Sequence, residues 1–135
     1  MTNIHFMSNS YEWITPQELF NELDDEFDFT LDPCATHENH KCEQYYTIED
    51  DGLAQSWDGE RVFMNPPYGR YITKWIKKAY ESKALVVGLL PARTDTRWFH
   101  DYIYHKADEI RFIKGRIRFS YSKPAPFPSM VVIWR

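Results

Sequence analysis

Hydrophobic residues recur along the chain with two different periods, and these periods predict where helices and strands lie. Residues 16–27 carry apolar side chains at helical spacing, with Thr15 as a candidate N-cap and Pro16 at the first helical position. The same spacing in residues 70–82 and 96–105 predicts two more helices. Segments with strand character lie between them.

Strands are indicated by short apolar runs that either alternate with polar residues or are continuous. They are predicted at residues 27–32, 44–47, 62–64, 84–92 and 129–135. The segment "DEIRFIKGRIRFS" contains two alternating runs around Lys114–Gly115, which predict two strands or a hairpin. Helices and strands therefore alternate through most of the chain. This pattern predicts an α/β domain with a largely parallel sheet and an antiparallel piece near the C-terminus.

The length of 135 residues is typical of one domain, and we expect a flexible tail at residues 1–10 and a domain at 11–135. The longest apolar run, residues 84–92, is too short to cross a bilayer, and the first residues lack the features of a signal peptide. The two cysteines, Cys34 and Cys42, do not suggest a disulfide framework. These features favour a cytoplasmic protein without a membrane partner.

Charge is unevenly distributed, although the formal net charge is only −4. Residues 1–60 contain one Lys or Arg against 15 Asp or Glu, whereas residues 61–135 contain 15 against five. The basic half favours contact with nucleic acid; the alternative is that the two halves neutralise each other within one fold. The candidate contacts to nucleic-acid phosphates are Arg93, Arg97, Arg116 and Arg118. For the last two, the alternative is a solvated strand face.

The segment "RVFMNPPYGR" ends a predicted strand in an unusual combination of side chains. Asn65 supplies an amide oxygen, and Pro66 a carbonyl that the following proline holds in an extended conformation. Two such acceptors suit a planar –NH2 group such as the exocyclic amine of adenine, and the ring of Tyr68 is a surface on which a flat base can stack. The alternative is a strand that ends in a turn, with Tyr68 in the core.

These groups also suit a reaction. Acceptors on both amine hydrogens favour a pyramidal nitrogen as positive charge develops there. With a methyl sulfonium in line, direct displacement requires no covalent enzyme intermediate, and positioning carries much of the rate. The base has to leave the duplex to reach such a pocket.

The chain resembles the phage-type DNA N6-adenine methyltransferases, a small Dam-like family. The resemblance covers nearly the whole chain from Trp13 and depends on an ordered set of segments: "WITPQELF", "LDPCAT", "MNPPYGR", "VVGLLPARTDTRWFH", "IRFIKGRIRF" and "APFPSMVVIW". It implies a single-domain, Rossmann-like methyltransferase fold with S-adenosylmethionine as the methyl donor and double-stranded DNA as the partner. A phage-encoded member would act in the cytoplasm of its bacterial host.

The resemblance also implies roles for individual residues. Asn65, Pro66, Pro67 and Tyr68 would hold and stack the target base. The segment Asp32–Pro33–Cys34–Ala35 would line the methionine end of the cofactor, and Trp13, Thr15 and Pro16 resemble an N-terminal cofactor motif. Asp50 or Asp51 would accept hydrogen bonds from the ribose hydroxyls, and Leu53 would pack on the cofactor adenine.

Some features depart from this family or leave alternatives open. The turn after the first strand contains no glycine, and the chain has no GxGxxG or P-loop fingerprint. Zinc-binding side chains occur at Cys34, His37, His40 and Cys42, but their spacing fits no usual finger pattern and no metal is expected. The alternatives are a methyltransferase that acts on RNA or a glutamine amide, and a non-catalytic binding or regulatory protein on the same scaffold. A homodimer is a further expectation, because one small subunit covers few base pairs.

Overall fold

A six-stranded sheet forms the centre of the fold in the computed structural model, which describes residues 13–119 and 124–135. The strands are β1 (Leu31–Asp32), β2 (Gln44–Tyr45), β3 (Arg61–Met64), β4 (Leu85–Pro91), β5 (Glu109–Phe112) and β6 (Ser129–Trp134). Their order is β2-β1-β3-β4-β6-β5. The first four strands are parallel, and β6 runs antiparallel to both β4 and β5. The predicted α/β class, mostly parallel with an antiparallel C-terminal part, is confirmed. The predicted tail at residues 1–10 lies outside the described residues.

Within residues 13–119 and 124–135, three helices and one 3-10 turn precede or connect these strands. The helices are α1 (Gln17–Phe27), α2 (Ile72–Glu81) and α3 (Arg97–Tyr102), and the 3-10 turn spans Gly52–Ala54. The predicted start of α1 was wrong by one residue. Pro16 is the N-cap rather than the first helical residue, and this N-cap makes no side-chain hydrogen bond to the helix. The Thr15 hydroxyl accepts a hydrogen bond from Asn65 instead.

Apolar side chains hold these elements on the sheet. The ring of Phe20 on α1 meets Phe63 on β3 edge-on, with centroids 5.2 Å apart. The continuous apolar run of β4 is buried from Val86 onwards, and β3 and β6 pair with its two edges, so β4 is a central strand. Since β3 and β4 are parallel, the residues that follow them emerge at the same edge of the sheet.

The two runs around Lys114–Gly115 do not pair with each other, so of the two alternatives, two strands or a hairpin, the hairpin was wrong. The first run is β5, which pairs with β6. After a turn at Gly115 (φ 78°), the second run turns back on residues 124–127 through a bridge between Arg118 and Pro124. Ile117 and Phe119 are buried there. Apolar and polar residues alternate in both runs. The second run buries these two side chains by pairing with residues near Pro124 instead of with β5.

Gly52 lets the 3-10 turn lie directly on the loop that follows β1. A Cβ atom at this position would overlap the carbonyl oxygen of Pro33. The Gly52 carbonyl also accepts a hydrogen bond from the buried indole nitrogen of Trp57, 3.0 Å away. The turn therefore has little freedom to move away from Pro33.

We expect Gly52→Ala to lower the free energy of unfolding by roughly 1–3 kcal/mol, because the added methyl group forces backbone movement in a packed region. Urea denaturation of the variant and of Glu81→Ala, an exposed control, measures the effect. The control should change stability by less than about 0.5 kcal/mol. Equal midpoints for the Gly52 variant and the parent would contradict the close contact.

Candidate active site

A cleft opens at the carboxyl ends of β1 and β3, next to the segment that precedes α1. It encloses about 300 Å³, including the part open to solvent. Several residues predicted from the sequence line it together: Trp13, Thr15, Asp32, Cys34 and Asn65. The fold thus brings the N-terminal motif, the end of β1 and the end of β3 to one place.

The side chain of Asn65 is held in one orientation. Its Nδ2 donates to the backbone carbonyl of Trp13 at 2.6 Å and to the hydroxyl of Thr15 at 3.0 Å. A carbonyl oxygen can only accept, so the amide nitrogen must face Trp13. The opposite atom, Oδ1, is buried and has no hydrogen-bond partner among the residues that the structure describes. Asn65 therefore presents an oriented acceptor.

Asp32 places a carboxylate at the end of β1, with only 5% of the residue exposed. Its oxygens accept from the backbone N–H groups of Lys41 at 2.9 Å and Cys34 at 3.4 Å. Burial raises the pKa of this carboxyl from 3.8 to about 6, although the two N–H donors oppose the shift. The cleft thus contains an acid that is only partly stabilised in its charged form.

Tyr68 lies in an aromatic cluster rather than on an open surface. It is 5% exposed, and its hydroxyl donates to the carbonyl of Leu89 at 3.0 Å. Burial raises the pKa of its phenol well above the usual range. Its ring meets Phe127 edge-on at 5.5 Å, and Phe127 also lies 5.2 Å from Trp13. Phe127 therefore joins the N-terminal motif to the end of the Asn65–Tyr68 segment.

The structure does not bring Asp50, Asp51 and Leu53 into the lining of this cleft. The Asp50 carboxylate accepts from the backbone N–H of Thr47 at 2.8 Å. Asp51 is exposed, and Leu53 is half-buried against the core. These residues nevertheless flank Gly52, which contacts the loop after β1, so they lie beside the cleft. Other predicted cofactor residues outside the lining are neighbours of residues that form it: Pro16, Pro33 and Ala35.

The predicted DNA-contacting arginines are all exposed: Arg93, Arg97, Arg116 and Arg118. The guanidinium of Arg93 lies over the ring of Phe127, 5.7 Å from its centroid. Arg116 donates to the carbonyl of Ala125 at 3.4 Å, so it belongs to the same loop as Phe127. Arg93 and this loop therefore meet beside Tyr68, and Arg97 lies at the start of α3.

Four cleft residues were missed from the sequence: Ile14, Asn39, Lys41 and Phe63. Lys41 carried a signal, because it is the only Lys or Arg in residues 1–60. Phe63 reads as an ordinary core residue of a strand. Asn39 lies in a polar loop whose position depends on the whole fold.

Within the described part of the chain, no group of three or more His, Cys, Asp or Glu residues could hold a metal ion. His37 and His40 both contact Tyr45, the first through a 2.7 Å hydrogen bond and the second by ring stacking at 3.9 Å. Within the same ranges, no helix is long and apolar enough to cross a membrane.

The sheet order and the cleft at its carboxyl edge define a methyltransferase-like α/β fold. The chain belongs to the DNA N-6-adenine-methyltransferase (Dam) family, whose model matches residues 6–135. It is similar to the DNA N-6-adenine-methyltransferase of Haemophilus phage HP1 (strain HP1c1), with 34% identity over 113 residues, 79% of this chain and 65% of the relative. It is also similar to that of Escherichia phage T1, with 32% identity over 103 residues, 73% of this chain and 43% of the relative. The chain thus spans less than two thirds of the length of either relative.

The raised pKa of Asp32 predicts a specific pH dependence of stability. The folded protein binds this proton more tightly than the unfolded chain between about pH 4 and 6, so its contribution to stability is lost as pH rises through about 6. Asp32→Asn has no carboxyl to titrate at this position, so the variant should gain stability relative to the parent as pH rises from 4.5 to 7.5, by about 2 kcal/mol. Urea unfolding across this range tests it; parallel profiles for parent and variant would contradict it.

Proposed function

We propose that this protein transfers a methyl group from S-adenosylmethionine to the exocyclic N6 amine of an adenine in DNA. The observation that carries the proposal is the buried Oδ1 of Asn65, which has no partner among the described residues. An amine N–H donated to this oxygen would satisfy it. Both phage relatives are named DNA N-6-adenine-methyltransferase, which supports the same reaction.

In this reaction the protein binds and orients the amine. Oδ1 of Asn65 and the carbonyl of Pro66 accept its two hydrogens, while Pro67 restricts the conformation of Pro66. S-adenosylmethionine, when bound, would supply the methyl group from its sulfonium. The S–CH3 bond breaks in the transfer, and the sulfur is left as a thioether. As the N–CH3 bond forms, positive charge develops on N6, and the two acceptors stabilise it. The extra N6 proton then passes to solvent.

The cleft residues fit the cofactor by their chemistry. Asp32 offers a carboxylate for the ammonium of the methionine end, and Cys34 is small enough for close approach. Trp13 and Thr15 form the opposite wall and hold Asn65. In this proposal Pro16, Pro33 and Ala35 support that wall and the loop after β1. Asp50 or Asp51, with Leu53, would contact the nucleoside end from the segment beside the cleft.

DNA binding places two further demands on the structure. The adenine has to leave the duplex, and the Tyr68 ring has to leave its contact with Phe127 for the base to stack on it. The exposed arginines would bind the phosphates on either side: Arg93, Arg97, Arg116 and Arg118. The cytoplasmic location and the homodimer remain predictions.

The deciding experiment is methyl transfer from radiolabelled S-adenosylmethionine to unmethylated duplex DNA, followed by nucleoside analysis. Label in N6-methyladenine deoxynucleoside is the expected result. Label in RNA or in a glutamine amide would instead support the alternative substrates. Folded, cofactor-saturated protein that labels none of these would indicate a non-catalytic binding protein.

We expect Asn65→Ala to lower the rate of methyl transfer by roughly 100-fold or more, because an oriented acceptor of the developing charge is lost. Affinity for S-adenosylhomocysteine, measured by calorimetry, should fall much less than the rate, and only because the hydrogen bonds to Trp13 and Thr15 in the cleft wall are lost as well. Gln44→Ala, which truncates an exposed amide on β2, is the matched control. Undiminished turnover of the Asn65 variant would remove this side chain from the reaction.

We expect the pair Arg93→Ala and Arg97→Ala to weaken DNA binding and to reduce the slope of log K against log salt by roughly two units. Both arginines follow the carboxyl end of β4. The matched control is the pair Lys83→Ala and Lys106→Ala, exposed lysines that precede β4 and β5 at the opposite edge of the sheet. Fluorescence anisotropy at several salt concentrations measures both pairs. A salt slope that falls equally in both would argue against a defined interface.

A further inference from the structure

Two opposite charges line the cleft without forming an ion pair. The backbone N–H of Lys41 donates to Asp32, but the ammonium donates to Oε1 of Gln17 at 2.9 Å. No salt bridge to either Lys41 or Asp32 occurs among the residues that the structure describes. The Asp32 carboxylate and the Lys41 ammonium, which belong to two residues of the same lining, therefore have no ionic partner among the described residues.

Such an arrangement is unfavourable for the protein alone. Burial raises the pKa of Asp32 to about 6 and lowers the pKa of Lys41, although each charge partly favours the ionised form of the other. Removing charges from water costs free energy unless partners replace the lost solvation. A ligand with one carboxylate and one ammonium group would supply a partner to each.

The Lys41 ammonium is held in place. Gln17 accepts its hydrogen bond through Oε1 and donates through Nε2 to Asn21 at 2.9 Å, which fixes the orientation of the Gln17 amide. Both hydrogen bonds are solvent-exposed, and they tie the side chain of Lys41, a residue that lines the cleft, to α1.

Charge around Lys41 argues against a phosphate contact. All other residues of 1–60 that carry a formal charge are acidic, 15 in total. DNA phosphates would be repelled by this surface, whereas a small anion inside the cleft would be shielded from much of it. The anion that Lys41 binds is therefore expected to be part of a small ligand.

We infer that Lys41 binds the α-carboxylate of S-adenosylmethionine while Asp32 binds its α-ammonium, so that the two residues recognise the amino-acid end of the cofactor as a zwitterion. This inference depends on the proposed function. It gives Lys41 a role in cofactor selection and makes Gln17 a positioning residue.

Binding of two ligands that differ only in the carboxylate tests the inference. Calorimetry would compare S-adenosylmethionine with its decarboxylated form for the parent, Lys41→Gln and Lys41→Arg. Lys41→Gln should weaken binding of S-adenosylmethionine about tenfold or more, the range for a hydrogen bond to a charged group, and leave the decarboxylated ligand within about twofold. Lys41→Arg should restore part of the loss. Lys83→Gln, at the opposite edge of the sheet, is the control.

Other outcomes would overturn the inference in distinguishable ways. Equal weakening of both ligands, or no change, would remove Lys41 from carboxylate binding and leave the proposed function standing. A Lys41→Gln variant that changes only the salt dependence of DNA binding would reassign the ammonium to phosphate. Parent protein that binds neither ligand would contradict the proposed function itself, and this inference with it.

Discussion

The candidate site depends on how the amide of Asn65 is held. Its nitrogen bonds to Trp13 and Thr15, which lie 52 and 50 residues earlier in the chain. These two hydrogen bonds join the segment before α1 to the end of β3 and so close one side of the cleft. Because Trp13 contributes a carbonyl, they also determine which amide atom is left to accept. The same two hydrogen bonds therefore form one side of the cleft and orient the Asn65 oxygen that is proposed to bind the amine.

Unfavourable groups are concentrated at this edge of an otherwise apolar sheet. A buried acceptor without a partner costs roughly 1–3 kcal/mol, and poorly solvated charges at Asp32 and Lys41 add to that cost. The central strands offset it, because β6 is buried along its whole length and β4 along nearly all of it. Polar and charged groups without partners, on a protein that is otherwise well packed, are typical of sites that a ligand completes.

The sequence predicted what depends on local periodicity, and missed what depends on distant partners. The α/β class, the strands and the approximate helices followed from apolar spacing, and the motif residues of the cleft followed from the family resemblance. The partner of residues 116–119 could not be predicted in this way. Apolar and polar residues alternate in this run as they do in β5, so the pattern does not tell which segment each run pairs with. Thr15 carried the expected signature of a helix cap, but a partner 50 residues away uses its hydroxyl. Lys41 was visible as an isolated positive charge, although its position next to Asp32 requires the loop between β1 and β2.

The burial of Tyr68 sets an energetic condition on the proposed reaction. Exposing the ring breaks its hydrogen bond to Leu89, worth about 0.5–1.5 kcal/mol, and its edge contact with Phe127, worth about as much. Stacking of a base contributes roughly 1–3 kcal/mol, so exchanging Phe127 for adenine offsets these two contacts but not the burial of the ring as a whole. Arg93 lies over the same Phe127 ring. A phosphate that draws Arg93 away would weaken the packing that holds Tyr68, and DNA binding would thereby favour the exchange only when substrate is present.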